Sequence, residues 1–197
     1  MLYPNLTSKR IILASKSPRR LELVRGLELE PEVTIRDVDE SYPPSVVGAA
    51  VAEYVTRAKA SAFTDILGVN DVIITGDTVV LLDDEILEKP SNFEEATLML
   101  RKLSGRSHLV ASGVAVTTLR DGKPVTSCEV DTCEVTFEEL TDEMISHYID
   151  SYKPFDKAGS YGVQDLIGFI GVSSINGSFY TVMGLPVHIL HKMLQEV

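Results

Sequence analysis

The chain has 197 residues, 44% of them hydrophobic and 24% charged, which is enough apolar material for one sizeable core. A formal net charge of −11 argues against broad contact with a nucleic acid polymer or an anionic membrane. No run approaches the ~20 uninterrupted apolar residues that span a bilayer, and the first ten residues lack the basic-then-apolar order of a signal peptide, so a cytoplasmic location is expected.

In chain order, Ile11–Ala14 reads as a short buried strand. Ser17 then serves as N-cap and Pro18 as first residue of a helix running to about Arg25, stopped by Gly26. A second strand is predicted near Glu32–Asp37, before Asp39-Glu40-Ser41 and the turn at Pro43-Pro44. Apolar residues at helical spacing predict a helix from Ser45 to about Leu67, and Val/Ile-rich Asp71–Leu82 reads as a central strand paired with Glu85–Leu87. Ser91-Asn92-Phe93-Glu94 is a capping box opening a helix to about Leu103. Strands near His108–Leu119 and Pro124–Phe137 flank the hairpin signal Asp121-Gly122, and Thr141 caps a helix through about Tyr152. After a polar loop at 153–165, Leu166–Val172 is predicted as a strand, Asn176-Gly177 as a tight turn and Ser178–Met183 as a returning strand. A terminal helix starts near Pro186. Helices alternating with strands and hairpins imply one α/β domain over 1–197, built on a mixed twisted sheet with flanking helices. Cys128 and Cys133, five apart in a strand, point to opposite faces and read as reduced thiols.

Five places carry chemistry. Ser15-Lys16-Ser17-Pro18-Arg19-Arg20 concentrates hydroxyls and cations at a strand end and helix N-terminus, where an anion is favoured; a capped basic surface helix fits the same residues. Asp77, inside Gly76-Asp77-Thr78-Val79-Val80, is a carboxylate in an apolar strand, costly unless paired or bound to a cation; the alternative is a bulge at Gly76 that turns it to solvent. Asp39-Glu40 reads as a solvated loop unless the fold brings Glu40 near Asp77, where the two could hold Mg²⁺ or Mn²⁺. Lys59 sits on an apolar helix face, from which it could snorkel outward, and Lys89 precedes Pro90 in an extended segment. The Asp156–Gln164 loop combines glycines with an aspartate, a lysine and a glutamine. No histidine pair has metal spacing, and the nucleophile-elbow, Walker and dinucleotide-binding motifs are missing.

Together, Leu13-Ala14-Ser15-x-Ser17-Pro18-Arg19-Arg20, Gly76-Asp77-Thr78-Val79-Val80, Glu88-Lys89-Pro90, Asp156-Lys157-Ala158-Gly159-Ser160-Tyr161-Gly162-Val163-Gln164 and Gly184-Leu185-Pro186 resemble the Maf-like nucleoside triphosphate pyrophosphatases in order and spacing. The resemblance implies a fold akin to inosine triphosphate pyrophosphatases, with two lobes around a cleft, and metal-assisted hydrolysis of nucleoside triphosphates to monophosphate and pyrophosphate. It makes Asp77 the general base or a metal-linked acid beside Glu40, places Lys59 and Lys89 with Arg19 and Arg20 among the phosphate-binding cations, and gives Ser15 a hydroxyl contact. Lys157 and Gln164 side with the branch acting on dTTP and UTP rather than that acting on 7-methyl-GTP, and Arg20, Thr78 and Gln164 occupy positions linked to that preference. A homodimer is also implied. The sequence departs from the family pattern at Gly76, Asp165 and Thr181, which stand where alanine, glycine and asparagine are usual. A nucleotide-binding regulator of cell division is the reading from another class.

Overall fold

Three parallel strands anchor the N-terminal part of the computed structural model, which describes residues 2–197. Strand β1 (Arg10–Leu13) buries its three apolar residues and lies between β2 (Glu32–Val33) and β3 (Asp71–Leu82), with Ile12 opposite both Glu32 and Ile73. Every residue of β3 is buried except half-exposed Thr78, the pattern of a strand covered on both faces. Helix α1 (Pro18–Arg25) starts where predicted, its Ser17 cap accepting from the Arg20 N–H. Strand β2 is shorter than Glu32–Asp37, because beyond Thr34 the chain leaves β1 and Arg36 turns to the Ala62 carbonyl and Asp65.

Helix α2 (Ala50–Ser61) is also shorter than Ser45–Leu67. Gly48 holds φ +61°, a left-handed conformation that no helix can run through, and Thr64–Ile66 tightens into a separate 3₁₀ turn. Helix α2 lies directly on the sheet: a β-carbon at Gly113 would stand 2.4 Å from Thr56 Oγ1 and 2.7 Å from the Ala52 carbonyl oxygen. Beside it Ile12, Ala14, Phe63, Leu67 and Ile73 form a buried cluster.

Strand β4 (Glu85–Leu87) pairs back on β3, and α3 (Phe93–Leu103) follows. The capping box is displaced by one residue: Asn92, in extended conformation, accepts from the Glu95 N–H, and the Glu95 carboxylate accepts from the Ser91 N–H. Strands β5 (Ser107–Arg120) and β6 (Lys123–Phe137) are joined at Asp121-Gly122, both at positive φ, as a two-residue hairpin requires. Cys128 and Cys133 on β6 are free thiols, and burial pushes Cys128 up to about 11, too high for a nucleophile at neutral pH. Thr141 caps α4 (Asp142–Tyr152) as expected.

Two predicted strands are helices. Leu166–Gly171 forms α5, with Ile167 and Gly171 buried four residues apart while Phe169 is 81% exposed. A short apolar run fits either structure, and here burial follows the helical period. The strand is Val172–Asn176, β7, antiparallel to β6. After Gly177 the chain enters α6 (Phe179–Met183) instead of returning as a strand, and α7 (Val187–Gln195) ends it. Among the described residues the mixed sheet has seven strands in the order β2-β1-β3-β5-β6-β7, with β4 on β3.

By compactness the chain forms two units. One comprises the chain up to Asp77, Ser112–Asp131 and Gly184–Val197; the other comprises Thr78–Ala111 and Thr132–Met183. Strands β3, β5 and β6 contribute residues to both. In the second unit His108 is buried edge-on to Phe137 and Tyr161, its Nε2 2.7 Å from the Tyr161 hydroxyl. Burial lowers its pKa from 6.5 to about 4.

Two outcomes follow. Gly113→Ala should cost about 1–3 kcal/mol by overpacking α2 against β5, read as a lower urea midpoint; an unchanged midpoint would mean that α2 can back away. Between pH 6.5 and 4 the unfolded His108 takes up a proton that the native state refuses. Its contribution is therefore complete above pH 6.5 and falls as pH drops to 4, by on the order of 3 kcal/mol. His108→Gln, which keeps a hydrogen-bonding group without the titration, should flatten the urea-midpoint profile across that window.

Candidate functional site

The site is built around Lys59, in the last turn of α2. Its Nζ lies 2.7 Å from Asp77 Oδ1 and 3.0 Å from Glu40 Oε1. The Lys59 and Asp77 side chains are only 13% and 12% exposed, whereas Glu40 is half exposed. Lys59 thus does not snorkel outward. It neutralises the carboxylate that β3 carries inward, and no bulge turns Asp77 to solvent. A buried charge is tolerable when paired in this way. Glu40 reaches the same ammonium from the loop after β2, so the loop acid that mattered only if folding brought it to Asp77 does lie beside it. Neighbouring Asp39 accepts from the Ser41 N–H, a local turn that also holds its carboxyl below the usual range.

The Ser15–Arg20 segment belongs to the same unit. Ser15 Oγ accepts from the Ser17 N–H at 3.1 Å, and the cap on Arg20 N continues the turn into α1. Arg20 Nε donates to the Gly184 carbonyl at 2.8 Å. Burial lowers the Arg20 pKa, while the charge of Asp77 raises it, Arg19 lowers it and Glu40 raises it, so these groups share one electrostatic environment. Arginine stays protonated through such a shift. Lys16 instead pairs with Asp37 at 2.6 Å on the surface.

Of the predicted residues, Ser15, Arg19, Arg20, Glu40, Lys59 and Asp77 therefore lie in one unit, and Thr78, Lys89, Lys157 and Gln164 in the other. Within the second unit, Lys89 is exposed after β4, and the Gly159 N–H donates to the adjacent Glu88 carbonyl, joining that step to the 156–164 loop. Lys157 is almost buried between Asp156 at 2.8 Å and Asp165 at 3.8 Å. Asp165 also accepts from the Tyr148 hydroxyl at 2.9 Å and from Gln164 Nε2 at 3.0 Å. Its carboxylate, a departure from the family pattern, is thus occupied in holding the loop. Because a carboxylate only accepts, it also fixes which end of the Gln164 amide is nitrogen. Gln164 Oε1 is buried with no partner among the described residues. Tyr148 was not singled out from the sequence, and Gly184 only as part of the Gly184-Leu185-Pro186 motif; a backbone acceptor has no side-chain signature.

Among the described residues no group of three or more His, Cys, Asp or Glu could hold a metal. The donor set at Lys59 is two carboxylates. That set fits Mg²⁺ or Mn²⁺, which take one or two carboxylates and complete their shell with phosphate oxygens and water. No helix among the described residues is long and apolar enough to cross a membrane.

The model of the family described as Maf-like protein matches residues 10–197. A dTTP/UTP pyrophosphatase of Bacteroides thetaiotaomicron is 48% identical over 194 residues, covering 98% of each chain. One of Parabacteroides distasonis is 46% identical, covering 99% of this chain and 100% of its own, and one of Flavobacterium psychrophilum is 42% identical, covering 98% and 97%. Among solved structures, a nucleoside-triphosphatase, dITP/XTP pyrophosphatase, of Mycobacterium abscessus aligns with 95% of this chain and 97% of its own at TM-score 0.48 and 17% identity. With the motifs in place along the whole chain and relatives of this identity over its full length, the chain belongs to the family of Maf-like proteins.

Proposed function

We propose that this chain hydrolyses nucleoside triphosphates, dTTP and UTP by preference, to the monophosphate and pyrophosphate. The observation that carries the reading is the Lys59 bridge between Asp77 and Glu40, in the same electrostatic environment as Arg20. Full-length relatives of the chain carry the name dTTP/UTP pyrophosphatase.

Asp77 and Glu40 would hold a divalent cation, Mg²⁺ or Mn²⁺, which would neutralise charge on the phosphate oxygens. Asp77 orients the attacking water and accepts its proton as the bond between the α and β phosphates breaks. Before the substrate arrives, Lys59 holds that carboxylate in place through the 2.7 Å contact to Oδ1. Arg19 and Arg20 stabilise the charge that develops on pyrophosphate, and Ser15 steadies the phosphate-binding turn. The roles of Lys89 on phosphate, and of Thr78, Lys157, Gln164 and Arg20 in choosing the base, rest on the family resemblance. A Gln164 amide suits the O4 and N3–H edge of uracil or thymine because it offers both an acceptor and a donor. The resemblance also suggests that 1–197 acts as one functional domain and as a homodimer, while the N-terminal pattern and the net charge of −11 favour action in the cytoplasm on a nucleotide rather than a nucleic acid polymer.

Asp77→Asn should lower pyrophosphate release about 10²–10⁴-fold while nucleotide binding, measured by calorimetry, persists. Turnover at the parent rate would remove Asp77 from the proton transfer. A panel of triphosphates with Mg²⁺ or Mn²⁺ should show dTTP and UTP ahead of 7-methyl-GTP. The reverse ranking would move the protein to the other branch, and no release from any nucleotide would favour a regulator that only binds.

A further inference from the structure

We propose that Lys59 is a resident cation that bars free divalent metal from the Asp77–Glu40 pair, so that metal enters only together with the triphosphate. The proposal rests on the functional reading above and adds an order of binding to it. Lys59 Nζ is within 3.0 Å of both carboxylates, the two protein oxygens that a metal would need. An ammonium and a divalent cation cannot share those positions, so one displaces the other. Displacement is costly here, because the Lys59 side chain is nearly buried and a buried ammonium that loses its paired carboxylates is left uncompensated.

The surrounding charge points the same way. Arg20 feels the charges of both Asp77 and Glu40, so with Lys59 two cations act on two carboxylates. A lone dication meets carboxylates whose charge is already matched. A triphosphate reverses this: it brings several negative charges, gives Lys59 oxygens to move to, and supplies the ligands that two carboxylates leave missing. No third His, Cys, Asp or Glu among the described residues completes a site by itself. The metal–nucleotide complex is then the true substrate, and Lys59 passes from carboxylates to phosphate as it arrives.

The test is Mn²⁺ alone, titrated into nucleotide-free protein and followed by calorimetry and by the electron spin resonance of unbound Mn²⁺. Lys59→Met should bind Mn²⁺ at least tenfold more tightly than the parent chain, with a corresponding Mn²⁺-dependent rise in Tm. Lys59→Arg, which keeps the charge, should bind it as weakly as the parent. Adding Asp77→Asn to Lys59→Met should abolish the gain, and a non-hydrolysable α,β-methylene triphosphate should restore tight Mn²⁺ binding to the parent chain. Lys59→Gln replaces Lys59→Met if the latter does not fold. Equal Mn²⁺ affinity in the parent and the uncharged variants, or a gain that survives Asp77→Asn, overturns the proposal. Because these readouts need no turnover, they are separate from the pyrophosphate assay, whose failure would sink the functional reading instead.

Discussion

A carboxylate set into the middle of a covered strand is the constraint around which the N-terminal unit is organised. A carboxylate buried on β3 is costly without a counter-charge, and the fold supplies one from a different element, 18 residues earlier in the chain. To deliver it, α2 must end where Lys59 can reach across to β3, and it must lie close to the sheet. The bare backbone of Gly113 permits that approach, with Thr56 and Ala52 pressed against it. The buried Thr75 hydroxyl, donating to the Thr56 carbonyl, ties the same helix to the strand that carries the acid. Packing and charge thus fix one geometry between them.

Around that pair several of the polar contacts are to backbone groups. Arg20 is held by the Gly184 carbonyl, and Ser15 and Ser17 are engaged with N–H groups of their own turn. Such contacts preorganise the turn and Arg20 through backbone groups. On the surface, acids pair with lysines, as Asp37 does with Lys16 and Glu85 with Lys102. The second unit uses the opposite device at its loop. There Asp165 gathers Tyr148, Gln164 and Lys157 onto one carboxylate, making the loop rigid through side chains.

Much of the fold was legible where local chemistry decides it. The Ser17 and Thr141 caps, the limits of β3 and the Asp121-Gly122 hairpin all follow from residues within a few positions of one another. The failures have a common cause. Leu166–Gly171 and Phe179–Met183 are too short for hydrophobic period to separate strand from helix, so burial in the folded chain decides. The early start predicted for α2 overlooked Gly48, whose left-handed φ is a property of the turn and not of the apolar pattern. For the site, composition and motif could name Lys59, Asp77 and Glu40, but not that one ammonium would lie between two acids. That depends on where a helix ends relative to a strand, a distance in space that no spacing along the chain encodes.

The shared strands carry a consequence for how such a protein can change over generations. The boundary between the two units falls inside β3, between Asp77 and Thr78, again inside β5 and again inside β6. Neither unit corresponds to a continuous stretch of gene, so neither can be lost, duplicated or traded by a single recombination event. The proposed acid Asp77 and its neighbour Thr78, assigned to base choice, belong to different units yet share a peptide bond. Exchange of one whole unit would thus have to cut three strands, whereas a substitution at Thr78 leaves the chain intact.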